Sequence, residues 1–117
     1  MLIKLLKSKI HRATVTEADL HYTGSIGIDR ALMNIVGLID YEYVEVYNIT
    51  NGERFTTYTI PAPLGGGDII INGAAAHKAK PGDLVIICAY ADMTEQEAKL
   101  HKPRIQLVDK NNKPLEQ

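Results

Sequence analysis

The chain has 117 residues, 45% of them apolar, and its 13 basic and 14 acidic side chains are dispersed, for a net charge of −1. That size suits one domain with a modest core. Balanced charge of this kind excludes both the basic excess of a nucleic-acid binder and an acidic interaction tail. Cys88 is the one cysteine, which rules out an intramolecular disulfide and a cysteine-rich zinc site; in the apolar run LVIICAY it reads as a buried, inert thiol. Lys4, Lys7 and Lys9 interrupt the apolar N-terminus. Neither a signal-peptide core nor a membrane span of about 20 residues fits there, so the expectations are a cytoplasmic location and no membrane partner.

From Leu2 to Val15 the chain reads as extended, with a β-branched finish at Thr14, Val15 and Thr16. A period of two puts Lys9 and His11 on one face, where isolated residues of these types would be an exposed lysine and a rim histidine. HYTGSIGID, His21 to Asp29, then sets Ser25 directly after Gly24. As composition, Gly-Ser is turn material. As chemistry, a glycine leaves its carbonyl open to a neighbouring hydroxyl. Attack of Ser25 Oγ on the Gly24 carbonyl would give an ester, and elimination would leave a new C-terminus at Gly24 and a dehydroalanine that hydrolyses to a pyruvoyl group. A serine hydrolase is not supported, because Thr23 stands where the G-x-S-x-G elbow needs glycine.

Asp29 to Val36 reads as a short helix: Asp29 caps it, Leu32, Ile35 and Val36 recur at helical spacing, and Gly37 stops it. Glu42 to Ile49 and Arg54 to Ile60 read as a hairpin through Thr50-Asn51-Gly52-Glu53, with Asn-Gly supplying positive φ angles. Pro61, Pro63 and Gly65 to Gly67 form a loop that lacks the Lys-Ser/Thr pair of a phosphate cradle. Asp68 to Ile71 resumes a buried strand. Asn72-Gly73 then turns into one helical turn at Ala74 to Ala76, whose small side chains let a ligand approach the backbone; by composition alone this is a plain strand-to-helix turn. Lys80-Pro81-Gly82-Asp83 has the residues of a type II turn, Leu84 to Tyr90 is an apolar strand, and Thr94 with Glu97 forms a capping box for a short helix that Pro103 closes. Arg104 to Val108 is a last strand, and the polar tail beyond Asp109 reads as loose. Six or seven short strands with two or three short helices describe an all-β barrel.

Three blocks carry a family resemblance. KSKIHRATVTEADLHYTGSIGID (Lys7 to Asp29), NGERFTTY (Asn51 to Tyr58) and NGAAAH (Asn72 to His77) resemble, in that order and spacing, the pyruvoyl-dependent aspartate 1-decarboxylases, and the likeness runs from Met1 to about Asp109. It implies a small double-psi β-barrel, a homotetramer with sites between subunits, and self-cleavage of the single 1–117 domain into 1–24 and 25–117. A covalently bound pyruvoyl group derived from Ser25 would then capture the amine of L-aspartate as a Schiff base and take up the electrons that CO2 leaves behind. The product, β-alanine, feeds pantothenate and coenzyme A synthesis in that family, and a maturation factor belongs with the expected partners.

The resemblance also assigns roles. Arg54 holds the substrate's side-chain carboxylate, Lys9 adds a second positive charge, and Tyr58 returns a proton to Cα. Thr57 polarises the Gly24 carbonyl; in an ideal strand it faces away from Arg54 and Tyr58, so a bulge or a neighbouring subunit would be needed. Asn72, Gly73, Ala74 and Ala75 line the pocket, while His11, His21 and Tyr22 fall in the matching blocks. Tyr47 stands where some family members carry tryptophan, so its packing is open although the reaction is not. Two other readings stay open on the residues alone: a non-catalytic barrel in which Gly24-Ser25 is a turn, and an enzyme using intact Ser25 as nucleophile.

Overall fold

The computed structural model describes residues 1–116. Its elements, in chain order, are β1 (Leu2–Thr14), β2 (Glu17–Asp19), β3 (Ser25–Asp29), α1 (Arg30–Val36), β4 (Tyr43–Asn48), β5 (Arg54–Ala62), β6 (Ile69–Asn72), a 3-10 turn (Gly73–His77), β7 (Leu84–Thr94), α2 (Glu95–Leu100) and β8 (Arg104–Leu107). The strands join in the order β2-β6-β3-β5-β4-β7-β1-β8. The class is therefore the expected one, mostly β with short helices.

Three of the pairings are parallel, β1 with β8, β2 with β6 and β3 with β5. Parallel neighbours require long connections, and here those connections wrap the sheet around one core. Ile10, Ile26, Ile28, Leu32, Ile69, Ile71 and Ile87 fill it, all within 1% of complete burial. Each such side chain contributes roughly 1.5–3 kcal/mol by leaving water. The pairing of β1 with β7 slips at Leu6/Ser8 and again at Ile10/Ala13. At the second slip Arg12 adopts φ 65°, and such irregularities sharpen strand twist.

Every residue of β3 is buried. With both faces covered it has no polar alternation, which is why this strand was not among those expected. In α1, Asp29 caps through its bond from Ala31 N, and Gly37 closes the helix at φ 76°, as expected; the buried side chains, however, are Leu32, Met33 and Val36. Ile35 is exposed instead, because it turns away from the barrel. The β4–β5 hairpin exists, but its turn differs from the expected one. Gly52 alone takes positive φ there, and a four-residue loop closes through Gly52 N to Asn48 O (2.8 Å) and Asn48 N to Glu53 O (2.8 Å). The buried Asn48 shapes it, its Oδ1 accepting from Thr50 N at 2.9 Å. β5 also runs through Pro61 to Ala62. The β4 ladder has ended at Tyr58 by then, so the missing N–H costs nothing on that side. The type II turn at Lys80–Asp83 and the Thr94–Glu97 capping box both form.

The tail is not loose over its described residues. Asn112, 1% exposed and at φ 60°, donates to Thr14 O and Gly67 O, both at 2.8 Å, and accepts from Thr14 N at 2.7 Å. Lys113 Nζ bonds Gly65 O. The glycine loop so gripped is held from its other side by Asp29, whose carboxylate accepts from Gly65 N at 2.8 Å and Gly67 N at 2.9 Å. Burial alone would raise the Asp29 pKa, but the amides of Gly65, Ala31 and Gly67, with Lys113 nearby, hold it below the usual carboxylate range. One consequence is measurable: Asn112→Ala should cost about 2–3 kcal/mol, since three backbone groups lose a bond, the one to Gly67 O buried and the two to Thr14 half-buried. Urea unfolding checks this, and a change within about 0.5 kcal/mol would mean that the tail does not clamp the barrel.

Candidate active site

Two chemically distinct groups emerge. The first centres on Gly24 and Ser25. Gly24 is exposed, whereas Ser25, opening β3, is 2% exposed. The antiparallel register sets Ser25 opposite Asn72, and Asn72 Nδ2 donates to Ser25 Oγ at 3.0 Å. The same Oγ donates to Thr23 O at 3.1 Å. An oxygen that reaches a carbonyl two residues upstream is turned back along its own chain, toward the Gly24–Ser25 peptide.

Gly73, which opens the 3-10 turn after β6, holds this segment. Its φ is +75°, and a Cβ there would lie 2.7 Å from Gly24 Cα and 2.9 Å from Gly24 N. Only a glycine lets the two backbones meet so closely. The parallel β3–β5 register pairs Ile26 with Thr59 and runs on to Asp29 opposite Ala62; Thr57, half-buried on β5, lies two residues before that pairing begins. Tyr58 is half-buried, with its ring 6.3 Å from that of Tyr41. Ala74 is exposed, and Ala75 packs against the core. Tyr22 is exposed, but its carbonyl lies against Gly73; His21 is exposed as well.

The second group occupies the outward face of β1, β7, β4 and β5. Lys9 pairs with Cys88, which pairs with Glu45, which pairs with Thr56, in one row across the sheet. In the next row, Tyr47 pairs with Arg54, whose guanidinium carbon lies 4.3 Å from the centroid of the Tyr47 ring. The Tyr47 hydroxyl bonds Glu45 Oε1 at 3.0 Å and the Tyr90 hydroxyl at 2.9 Å. Burial, then Tyr90 and Glu45, push the Tyr47 pKa far above that of a free phenol. Cys88 is buried, as expected, and burial raises its thiol pKa although Tyr90 and Lys9 work against that. His11 Nδ1 is buried without a hydrogen-bond partner, and burial, then Lys9 and Arg12, lower its pKa.

Arg54 precedes Tyr58 by four residues on β5, about 13 Å along a strand, and Lys9 lies three strand spacings from Thr56, about 14 Å. Glu45 and Tyr90 were not among the residues singled out in the sequence, and Cys88 was singled out only as a buried, inert thiol; a spacing of two, Glu45 from Tyr47 and Tyr90 from Cys88, was the available signal. Among the described residues no three His, Cys, Asp or Glu side chains gather as a metal site, and no helix is long and apolar enough to cross a membrane.

The close approach at Gly73 can be tested without any assay of activity. Gly52 has nearly the same φ, +77°, with nothing within 4 Å of its would-be Cβ. Gly52→Ala should therefore cost only backbone strain, about 1 kcal/mol, and Gly73→Ala at least about twice that, because a backbone must also move. Equal losses in thermal unfolding would contradict the contact.

Comparison with known proteins agrees with both the barrel and the blocks. The aspartate decarboxylase family profile matches residues 1–115. The aspartate 1-decarboxylase of Methylibium petroleiphilum is 56% identical over 109 residues, 93% of this chain and 91% of that protein. That of Bordetella avium is 54% identical over 112 residues, 96% and 92% of the two chains. Among solved structures, the rationally designed double-psi barrel mkDPBB_sym_86 superposes with a TM-score of 0.50 at 17% identity over 66% of this chain and 90% of its own, a likeness of fold alone. The chain belongs to the aspartate decarboxylase family.

Proposed function

We propose that this chain is an enzyme that decarboxylates L-aspartate to β-alanine and CO2, after cutting itself between residues 24 and 25. The observation that carries the reading is the state of Ser25: buried, with Oγ turned back toward its own peptide bond and fixed between Asn72 and Thr23. The thread of steps is balanced. Oγ displaces nitrogen at the Gly24 carbonyl, elimination releases the Gly24 carboxylate, and the dehydroalanine adds water and loses ammonia to become a ketone. Thr57, by the family resemblance, would polarise the carbonyl under attack.

The residues present fit a pyruvoyl group at position 25. Asn72 Nδ2 is a donor aimed at that residue, matched to a carbonyl oxygen, and the exposed Gly24 leaves a new carboxylate in water. When present, such a ketone supplies the electron sink that decarboxylation needs. The chain's own residues do the rest. Arg54, which has no ion pair among the described residues, offers its planar fork to the side-chain carboxylate. Lys9 adds positive charge, Tyr58 delivers a proton to Cα, and Asn72, Gly73, Ala74 and Ala75 wall the pocket. His11, Tyr22 and Tyr47 support it.

Sites between subunits of a homotetramer, which the family resemblance implies, would let Lys9 and Arg54 of one copy face Ser25 of another. Ile39, Tyr41 and Tyr43 are 69%, 75% and 61% exposed on the isolated chain, apolar area of the kind that subunit contacts cover. A cytoplasmic place in pantothenate synthesis, and a helper for maturation, complete the reading.

Its test is a single substitution. Ser25→Ala removes one oxygen from a buried site, so the fold should persist by circular dichroism, while the chain stays whole and releases no CO2 from aspartate. A Ser25→Ala protein that is cut at the same bond, or that is fully active, overturns the proposal.

A further inference from the structure

On the outer sheet face, the hydrogen-bond chain through Tyr47 has only one possible direction. The Glu45 carboxylate accepts and cannot donate, so the bond to Glu45 Oε1 uses the one phenolic proton of Tyr47. The Tyr47 oxygen must then accept from Tyr90, whose hydroxyl lies 2.9 Å away. Tyr90 donates, Tyr47 relays, and Glu45 terminates the line. Two bonds at its tip fix the Tyr47 ring, which would otherwise turn freely on an outward face. On that ring lies the Arg54 guanidinium, 4.3 Å from the centroid, within the range of a cation–π contact. No carboxylate among the described residues competes for Arg54, so the ring is what orders it.

We propose that Tyr90 is a positioning residue: its hydroxyl sets the Tyr47 ring, and the ring presents the Arg54 fork to one carboxylate of a four-carbon dicarboxylate. This rests on the reading of Arg54 given above. Tyr90 does not touch the reacting atoms. It lowers the cost of ordering Arg54 when substrate arrives, so it acts on affinity. Without the Tyr90 hydroxyl the ring keeps its bulk but loses one of two anchors, and the guanidinium loses a fixed platform.

The experiment uses the full, processed protein as wild type, Tyr90→Phe, Tyr47→Phe and the double variant. Succinate, which has both carboxylates and no amine, is titrated by calorimetry, and KM and kcat are measured with aspartate. Tyr90→Phe should raise the succinate Kd and the aspartate KM together by about 3- to 10-fold, with kcat within about twofold. Tyr47→Phe, which keeps the ring, should do the same, and the double variant should be no worse than the weaker single, because both remove one link. Unchanged Kd and KM in Tyr90→Phe, a loss in kcat instead of KM, or effects that multiply in the double variant would each overturn the positioning role alone. Wild-type protein that neither binds succinate nor turns over aspartate would overturn the reading of Arg54 and this role with it.

Discussion

Two backbones touch where Gly73 packs against Gly24, and much of the molecule is arranged so that they can. The contact needs a residue without Cβ at +75°, a strand that delivers it and a second strand that receives it. β6 delivers it through Asn72, and β3 receives it through Ser25, paired in antiparallel register. The rest of β3 is buried throughout and cannot shift without moving Ile26 and Ile28 in the core. A serine so anchored is restricted in where its oxygen can go. Restriction of this kind, and no unusual chemistry of the side chain itself, is what separates Ser25 from an ordinary serine in a turn.

The anchoring extends beyond the neighbouring strands. Asp29, at the other end of β3, ties the strand to the helix that follows and to the glycine loop. Asn112 ties the same loop to β1 from the C-terminal side. Asp29 and Asn112, 83 positions apart, therefore brace one five-residue strand. The outward face of β1, β7, β4 and β5 is held differently, by side chains. A hydroxyl line ending at Glu45 holds the tip of the Tyr47 ring, on which the Arg54 guanidinium lies. One region constrains a bond and the other presents charge.

Much of this was legible in the sequence where a residue type has a single local use. Asp29 and Gly37 marked the ends of α1, Pro81 and Gly82 the type II turn, and Thr94 with Glu97 the capping box. The three motif blocks carried the family. Other features escaped because they depend on distant partners. β3 gives no alternation, since both its faces are covered. Asn51 looked like half of a two-residue turn, but the buried side chain of Asn48 favours a longer loop. The tail looked solvated until Thr14 and Gly67 gave Asn112 its partners. Tyr90 carried no signal beyond its spacing of two from Cys88, because its significance comes from a hydroxyl on another strand.

The most direct measurement is the intact mass of the purified wild-type protein, taken before and after reaction with hydroxylamine under denaturing conditions. A fragment of residues 1–24 and a second fragment, 25–117, that gains the mass of one oxime are the predicted result. Fully active protein that remains one 117-residue chain, or whose second fragment begins with an unmodified serine and takes up no hydroxylamine, would contradict it.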